Sequence, residues 1–132
     1  MNKSKTLVNG IGNLYDTEKY YDRWSQTYET TLIKWRYTVP KKAINILNNK
    51  VKYEPKKIYD LACGTGLFGE KLIKAYKKSI IYGSDISKKS LLIASKKKIY
   101  KNLKKANFNK IQFFIKKFDL VSMIGAMTYC KN

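Results

Sequence analysis

Ile58-Tyr59-Asp60-Leu61-Ala62-Cys63-Gly64-Thr65-Gly66 is a short apolar run that ends in a carboxylate and passes at once into a glycine turn. The run reads as a strand. Gly64 and Gly66 admit positive φ and place no side chain in the path of an approaching ligand. Beyond them, residues 67–76 carry apolar side chains at helical spacing. Strand, glycine turn and helix together form the context in which an α/β protein brings its backbone close to a cofactor.

Outward from this stretch, strands and helices alternate. Strands are predicted at 57–62, 79–85, 102–107 and 118–124, the last preceded by Phe113-Phe114-Ile115. Helices are predicted at 67–77 and at 88–98, the second capped by Ser87. Upstream, Asp16 or Thr17 caps a helix running to about Glu29 and crowded with Tyr20, Tyr21, Trp24 and Tyr28. A turn around Trp35-Arg36-Tyr37 leads to Pro40, which opens a helix ending near Asn48 and burying Ala43, Ile44 and Leu47. The expected fold class is α/β, a Rossmann-like doubly wound parallel sheet with an N-terminal helical cap. Residues 1–13 read as a flexible arm, 14–50 as the cap and 51–132 as the first half of the sheet, within one domain.

The chain has 132 residues, enough to bury a core. No run of about 18 apolar residues is present, so no membrane helix is expected. The N-terminus lacks the apolar segment of a signal peptide, and the expected location is cytoplasmic. Cys63 and Cys130 are too few for a disulfide framework or a zinc site, and no metal is expected. The absence of histidine removes Ser-His-Asp and Cys-His catalysis. The net charge of +19 invites a nucleic-acid partner. However, the only arginines are Arg23 and Arg36, and lysine, asparagine, isoleucine and tyrosine share A/T-rich codons. Composition is therefore preferred over a dedicated nucleic-acid face, because phosphate and base readers favour arginine forks.

Gly64-Thr65-Gly66-Leu67-Phe68-Gly69 also fits the dinucleotide pattern G-x-G-x-x-G. Asp85, about 20 residues on, is placed to accept ribose hydroxyls, which NAD and S-adenosylmethionine both carry. Asp60 discriminates between them. A pyrophosphate at this turn would be opposed by a carboxylate, whereas an ammonium and a sulfonium would not. The bland alternative is that Asp60 only ties down the loop by hydrogen bonds.

The run Asp60–Gly66, "DLACGTG", resembles the first motif of the class I S-adenosylmethionine-dependent methyltransferases. "YDRWSQTYE" (21–29) is similar to the N-terminal helix of the group containing the Williams–Beuren-region and tetratricopeptide-associated methyltransferases, with Tyr37 and Pro40 at matching places. "SDIS" with "SLLIASKKKIY", and "FDLVSMIGAMTY", resemble the second motif and the fourth strand of that group. The resemblance implies that Gly64 and Gly66 cradle the methionine part of the cofactor with Asp60 nearby, and that Asp85 binds the ribose. It places Ile86 against adenine, Asn107 where an acid often meets the adenine amino group, and Ile124 and Gly125 beside the methionine. Ala62 replaces the usual first glycine, a change tolerable where φ stays negative. The helix bearing Tyr21, Trp24 and Tyr28, which share a face at i, i+3 and i+7, would close over the cofactor. Tyr21 and Trp24 then offer π faces to the sulfonium, with packing on the sheet an equal alternative for Trp24, while Tyr28 and Trp35 are expected to pack.

Methyl transfer mainly needs alignment, so missing histidine is no objection, and no catalytic base is assigned. The family fold has seven strands in the order 3-2-1-4-5-7-6. This sequence supplies four, and a C-terminal truncation is expected. The fourth would then be an apolar edge carrying Leu120, Val121, Met123 and Ile124, open to a dimer or a partner chain. A non-catalytic cofactor-binding remnant is the alternative function; the methyl acceptor is unidentified.

Overall fold

The structure, a computed structural model, describes residues 14–110 and 117–126. The expected arm at 1–13, Phe113-Phe114-Ile115 and Cys130 lie outside the described residues. Strands β1 (Lys57–Leu61), β2 (Ile80–Asp85), β3 (Tyr100–Lys105) and β4 (Leu120–Met123) form one parallel sheet in the order β3-β2-β1-β4. Helices α1 (Leu14–Trp24), α2 (Tyr28–Lys34), α3 (Val39–Lys50), α4 (Leu67–Ala75) and α5 (Lys88–Lys96) flank it. The strand order reverses at β1, so a crevice opens beyond the carboxyl ends of β1 and β4, where open α/β sheets bind their ligands.

Alternation along β1 decides what lies on each face. Ile58 pairs with Ile81 of β2 and Leu120 of β4. Ile58 and Ile81 join Phe68, Leu72 and Tyr76 in the buried core, with Ala43, Ile44 and Leu47 of α3 packed against them. Each such apolar side chain contributes about 1.5–3 kcal/mol on burial. On the other face, Tyr59 and Tyr82 meet Phe118 edge-on, at ring-centroid distances of 4.9 and 5.3 Å. The carboxylate of Asp119 accepts from the backbone N–H groups of Lys56 and Lys57, both at 2.9 Å, and secures the entry to β1.

The structure departs from the expected elements at four places. The first helix begins at Leu14, so Asp16 and Thr17 lie inside it rather than capping it. The N-terminal helix is two helices, broken at residues 25–27. Ser25 Oγ donates to the Asp22 carbonyl at 2.9 Å, and Thr27 N donates to the Trp24 carbonyl at 3.0 Å. Such local bonds compete with the helical ladder. Next, β3 begins at Tyr100 rather than at 102, because Tyr100 pairs with Ile81 and its ring is drawn over the sheet. Finally, β4 spans only Leu120–Met123, and three of its four residues are half-buried rather than open. α2 ends in a Schellman turn: Arg36 N donates to the Ile33 carbonyl and Tyr37 N to the Leu32 carbonyl, both at 3.0 Å. Arg36 takes the left-handed φ of 51° usually given to glycine there, and the turn delivers Tyr37 to the crevice.

Candidate functional site at the glycine turn

Every second residue of the turn is left-handed: φ is 51° at Ala62, 56° at Gly64 and 88° at Gly66. The expectation of a negative φ at Ala62 is therefore corrected. Alanine is tolerated there against a cost of about 1–2 kcal/mol because the surrounding turn imposes the conformation. Cys63 N donates to the Ser84 carbonyl at 2.9 Å, and Gly66 N to the Cys63 carbonyl at 3.0 Å. The two glycines serve different ends. A Cβ on Gly64 would meet no atom within 4 Å, so open space lies before it. A Cβ on Gly66 would lie 3.2 Å from the Tyr100 ring and 3.4 Å from Ala94, so there the missing side chain is replaced by protein.

Two carboxylates flank this turn. Asp85 Oδ2 accepts from Gly64 N at 2.8 Å and Oδ1 from Ser87 N at 2.9 Å. It is thus Asp85 that ties down the loop. Burial pushes its pKa up, against the pull of these backbone N–H groups. Asp60 is fully buried and bonds other strands instead: Tyr100 Oη donates to Oδ2 and Ser122 Oγ to Oδ1, each at 2.8 Å. Burial raises its pKa to about 6, against the lowering effect of both hydroxyls. The Tyr100 phenol is held well above its ordinary value by burial and by the neighbouring Asp60, so it stays a donor. Burial likewise keeps Cys63 a thiol.

A cleft of about 380 Å³, open mouth included, faces the turn. It is lined by Asp60, Ala62, Cys63, Gly64, Leu67, Phe68 and Ile124, and from the helical side by Tyr28, Tyr37 and Pro40. No lysine or arginine is among these, although the chain holds 28 of them. The N-terminal helices are fastened beside it by their acids. Glu29 accepts from Thr65 Oγ1 at 2.8 Å and pairs with Lys97, which also pairs with Glu70. Asp22 accepts from Ser87 Oγ at 2.6 Å and Lys89 N at 3.2 Å, capping α5 from outside. Glu18 pairs with Lys105.

Of the residues singled out in the sequence, Asp60, Ala62, Gly64 and Ile124 come together in the cleft wall. Asp85 touches it through Gly64, and Ile86 stands beside Asp85, half-buried. Gly125, with φ of 75°, lies beneath the Tyr37 hydroxyl, which would sit 3.1 Å from a Cβ there. Asn107 Oδ1 accepts from Asn109 N at 3.0 Å and so holds the turn after β3, outside the cleft wall. Gly66 is also outside that wall. Tyr21 and Trp24 form an aromatic cluster in which Trp24 meets Tyr20, Tyr28 and Trp35 at 5.8, 4.6 and 5.8 Å. In this structure Tyr28, expected to pack, is the member of that cluster that reaches the cleft. Sequence reasoning missed Tyr100 and Ser122. The available signal was Gly83, a glycine inside a strand, which marks a close approach by another group.

A parallel sheet with this switch point and a glycine turn between two carboxylates defines a Rossmann-like α/β domain with its ligand crevice at the turn. The profile of a family described as a methyltransferase domain matches residues 58–132, more than half of the chain, and the chain belongs to that family. The chain is 38% identical over 74 residues to the malonyl-[acyl-carrier protein] O-methyltransferase of Legionella pneumophila, covering 54% of this chain and 26% of that protein. It is 33% identical over 67 residues to the human methyltransferase-like protein 27, covering 49% and 27%. The chain thus spans about a quarter of the length of these curated relatives. The magnesium protoporphyrin IX methyltransferase ChlM from Synechocystis PCC 6803, solved with bound S-adenosylmethionine, shares the fold. Its TM-score is 0.68 at 18% identity, over 90% of this chain and 65% of that one.

Proposed function

We propose that this domain binds S-adenosylmethionine in the crevice between β1 and β4 and serves the transfer of its methyl group to an acceptor nucleophile. The observation that carries the reading is the cleft itself: in a chain of net charge +19, its wall holds a buried aspartate and, among the described residues, no cationic side chain. Such a wall suits a cationic ligand and disfavours a pyrophosphate. Gly64 leaves room for a ligand against its backbone, and Asp85 has lone pairs remaining for ribose hydroxyls. When bound, S-adenosylmethionine supplies a methyl on a sulfonium whose leaving group departs neutral. The chain's part is then to bind and orient, and alignment alone can contribute about 7–11 kcal/mol. Tyr28, Tyr37 and Phe68 offer π faces worth about 0.5–2 kcal/mol each to a cation. Small-molecule and macromolecular acceptors are both compatible with the open mouth.

Three finer readings accompany this one. The motif at 21–29, with Tyr37 and Pro40 in the cleft wall, supports membership of the Williams–Beuren-region and tetratricopeptide-associated group. Among the described residues no helix is long and apolar enough to cross a membrane, and a cytosolic site of action accords with that. The outer edge of β4 has no strand partner among the described residues, which favours a dimer or a partner chain adding a strand there. That edge also supports the second reading, a non-catalytic module that binds the cofactor and assembles. Thermal-shift and calorimetric titration of the full chain with S-adenosylhomocysteine, beside NAD and with oligomer size measured, tests both. Stabilisation by S-adenosylhomocysteine and not by NAD is expected. No response to S-adenosylhomocysteine from folded protein overturns the proposal.

A further inference from the structure

Among the described residues, Asp60 is the one fully buried carboxylate of the cleft wall, and both of its oxygens are held by hydroxyls from strands on either side. The way Tyr100 reaches it is unusual. Tyr100 belongs to β3, and Asp60 to β1, with β2 between them. The ring crosses β2 at Gly83, where a Cβ would lie 2.8 Å from Tyr100 Cε1. It passes under α4 at Gly69, where a Cβ would overlap the phenol oxygen, and it rests against Gly66. Three glycines thus form a slot that only a long, flat side chain fills, and the slot delivers a single hydroxyl to one carboxylate. A phenylalanine would fill the same volume and leave Asp60 Oδ2 without that donor.

We infer that Tyr100 is a positioning residue for cofactor binding: through its hydroxyl, together with that of Ser122, it keeps Asp60 ionised as the counter-charge for the ligand's ammonium group. The inference rests on the S-adenosylmethionine reading above. Its physical basis is the competition at Asp60. Desolvation opposes ionisation there, and hydrogen bonds from Ser122 and Tyr100 favour it. The other titratable groups near Asp60 give no such help. Asp85, at the end of β2, adds a like charge, and Cys63 in the turn stays neutral. Among the described residues, the titratable groups from the helical side of the cleft are the phenols of Tyr28 and Tyr37. α4 contributes Leu67 and Phe68, and Lys97 of the α5 end is committed to Glu29 and Glu70. The two hydroxyls therefore hold the balance.

The test is a calorimetric titration of the full chain with S-adenosylhomocysteine at steps from pH 5 to pH 8, for wild type, Tyr100→Phe and Ser122→Ala. For wild type, affinity is expected to be level near pH 8 and to fall about tenfold per pH unit below about pH 6, as one proton must leave Asp60 for the ligand to bind. In Tyr100→Phe the break moves up by about one pH unit, so binding weakens about fivefold at pH 6 and about twofold at pH 7, and recovers by pH 8. A purely structural tyrosine would lower affinity equally at every pH, and that result overturns the inference. If Tyr100→Phe does not fold by circular dichroism, Ser122→Ala is read on the same profile with the same expectation. Tight binding by wild type with no pH dependence overturns the inference alone. No binding by wild type at any pH overturns the cofactor reading, and this one with it.

Discussion

Asp60 is a residue whose burial opposes stability and whose charge serves the site. Its folded pKa of about 6 lies above the ordinary 3.8, so between those values the folded chain holds more protons than the unfolded one. Stability from this group therefore falls as pH rises from about 4 to about 6, and stays low above that. Asp60→Asn keeps the shape and removes the charge. It is expected to raise stability at pH 7 by about 1–3 kcal/mol, measured by urea unfolding, and to flatten the acid-side pH dependence. The same variant is expected to weaken S-adenosylhomocysteine binding at least tenfold; unchanged binding would remove Asp60 from the site. Asp60, Gly64 and Asp85 were legible from the sequence because a carboxylate before a glycine turn, and another after the next strand, follow from chain order alone. Tyr100 was not, because its role depends on an empty lane across β2 that only the strand register reveals. The sign of φ at Ala62 was misjudged for a related reason: an alanine carries no mark of the left-handed turn that encloses it.

At the scale of elements, the join between the N-terminal helices and the sheet is made by side chains of opposite character. Asp22 of α1 accepts from Ser87 and Lys89 at the start of α5, where the helix presents unpaired N–H groups and the positive end of its dipole. Ser87 also caps the same helix through Ser90 N at 3.1 Å. Asp22→Ala is expected to cost about 1 kcal/mol, read by thermal unfolding, and to expose the α1–α5 contact to proteolysis ahead of the sheet. Loss of stability without faster cleavage near residue 25 would show that the helices are held elsewhere. The alternation of strands and helices was readable because periodicity is a local property. The break at Ser25–Thr27 and the early start of β3 were not, since each is decided by partners elsewhere in the chain or by competing hydroxyls.

For the molecule as a whole, the net charge of +19 is less evenly tempered than the count implies. Glu18, Asp22, Glu29, Glu54, Asp60, Glu70, Asp85 and Asp119 each already hold an ammonium, a hydroxyl or a backbone N–H. The acids that could offset the excess of lysine are thus engaged in local fastenings, Lys97 and Lys105 being paired with three of them. Raising ionic strength from about 0.01 M to about 0.2 M shortens the Debye length from about 30 Å to under 10 Å, so the melting temperature is expected to rise by several degrees. A fall would mean that the few ion pairs outweigh the repulsion. The lane that carries Tyr100 across β2 has a further consequence, for the order in which the chain assembles. The carboxylate at position 60 is completed by hydroxyls 40 and 62 residues further along. Contacts so distant in sequence close late, after local helices and the β1–β2 unit have formed. A nascent or partly folded chain would thus show its glycine turn before it has a working counter-charge, and ligand capture would report completion of all four strands rather than of the motif.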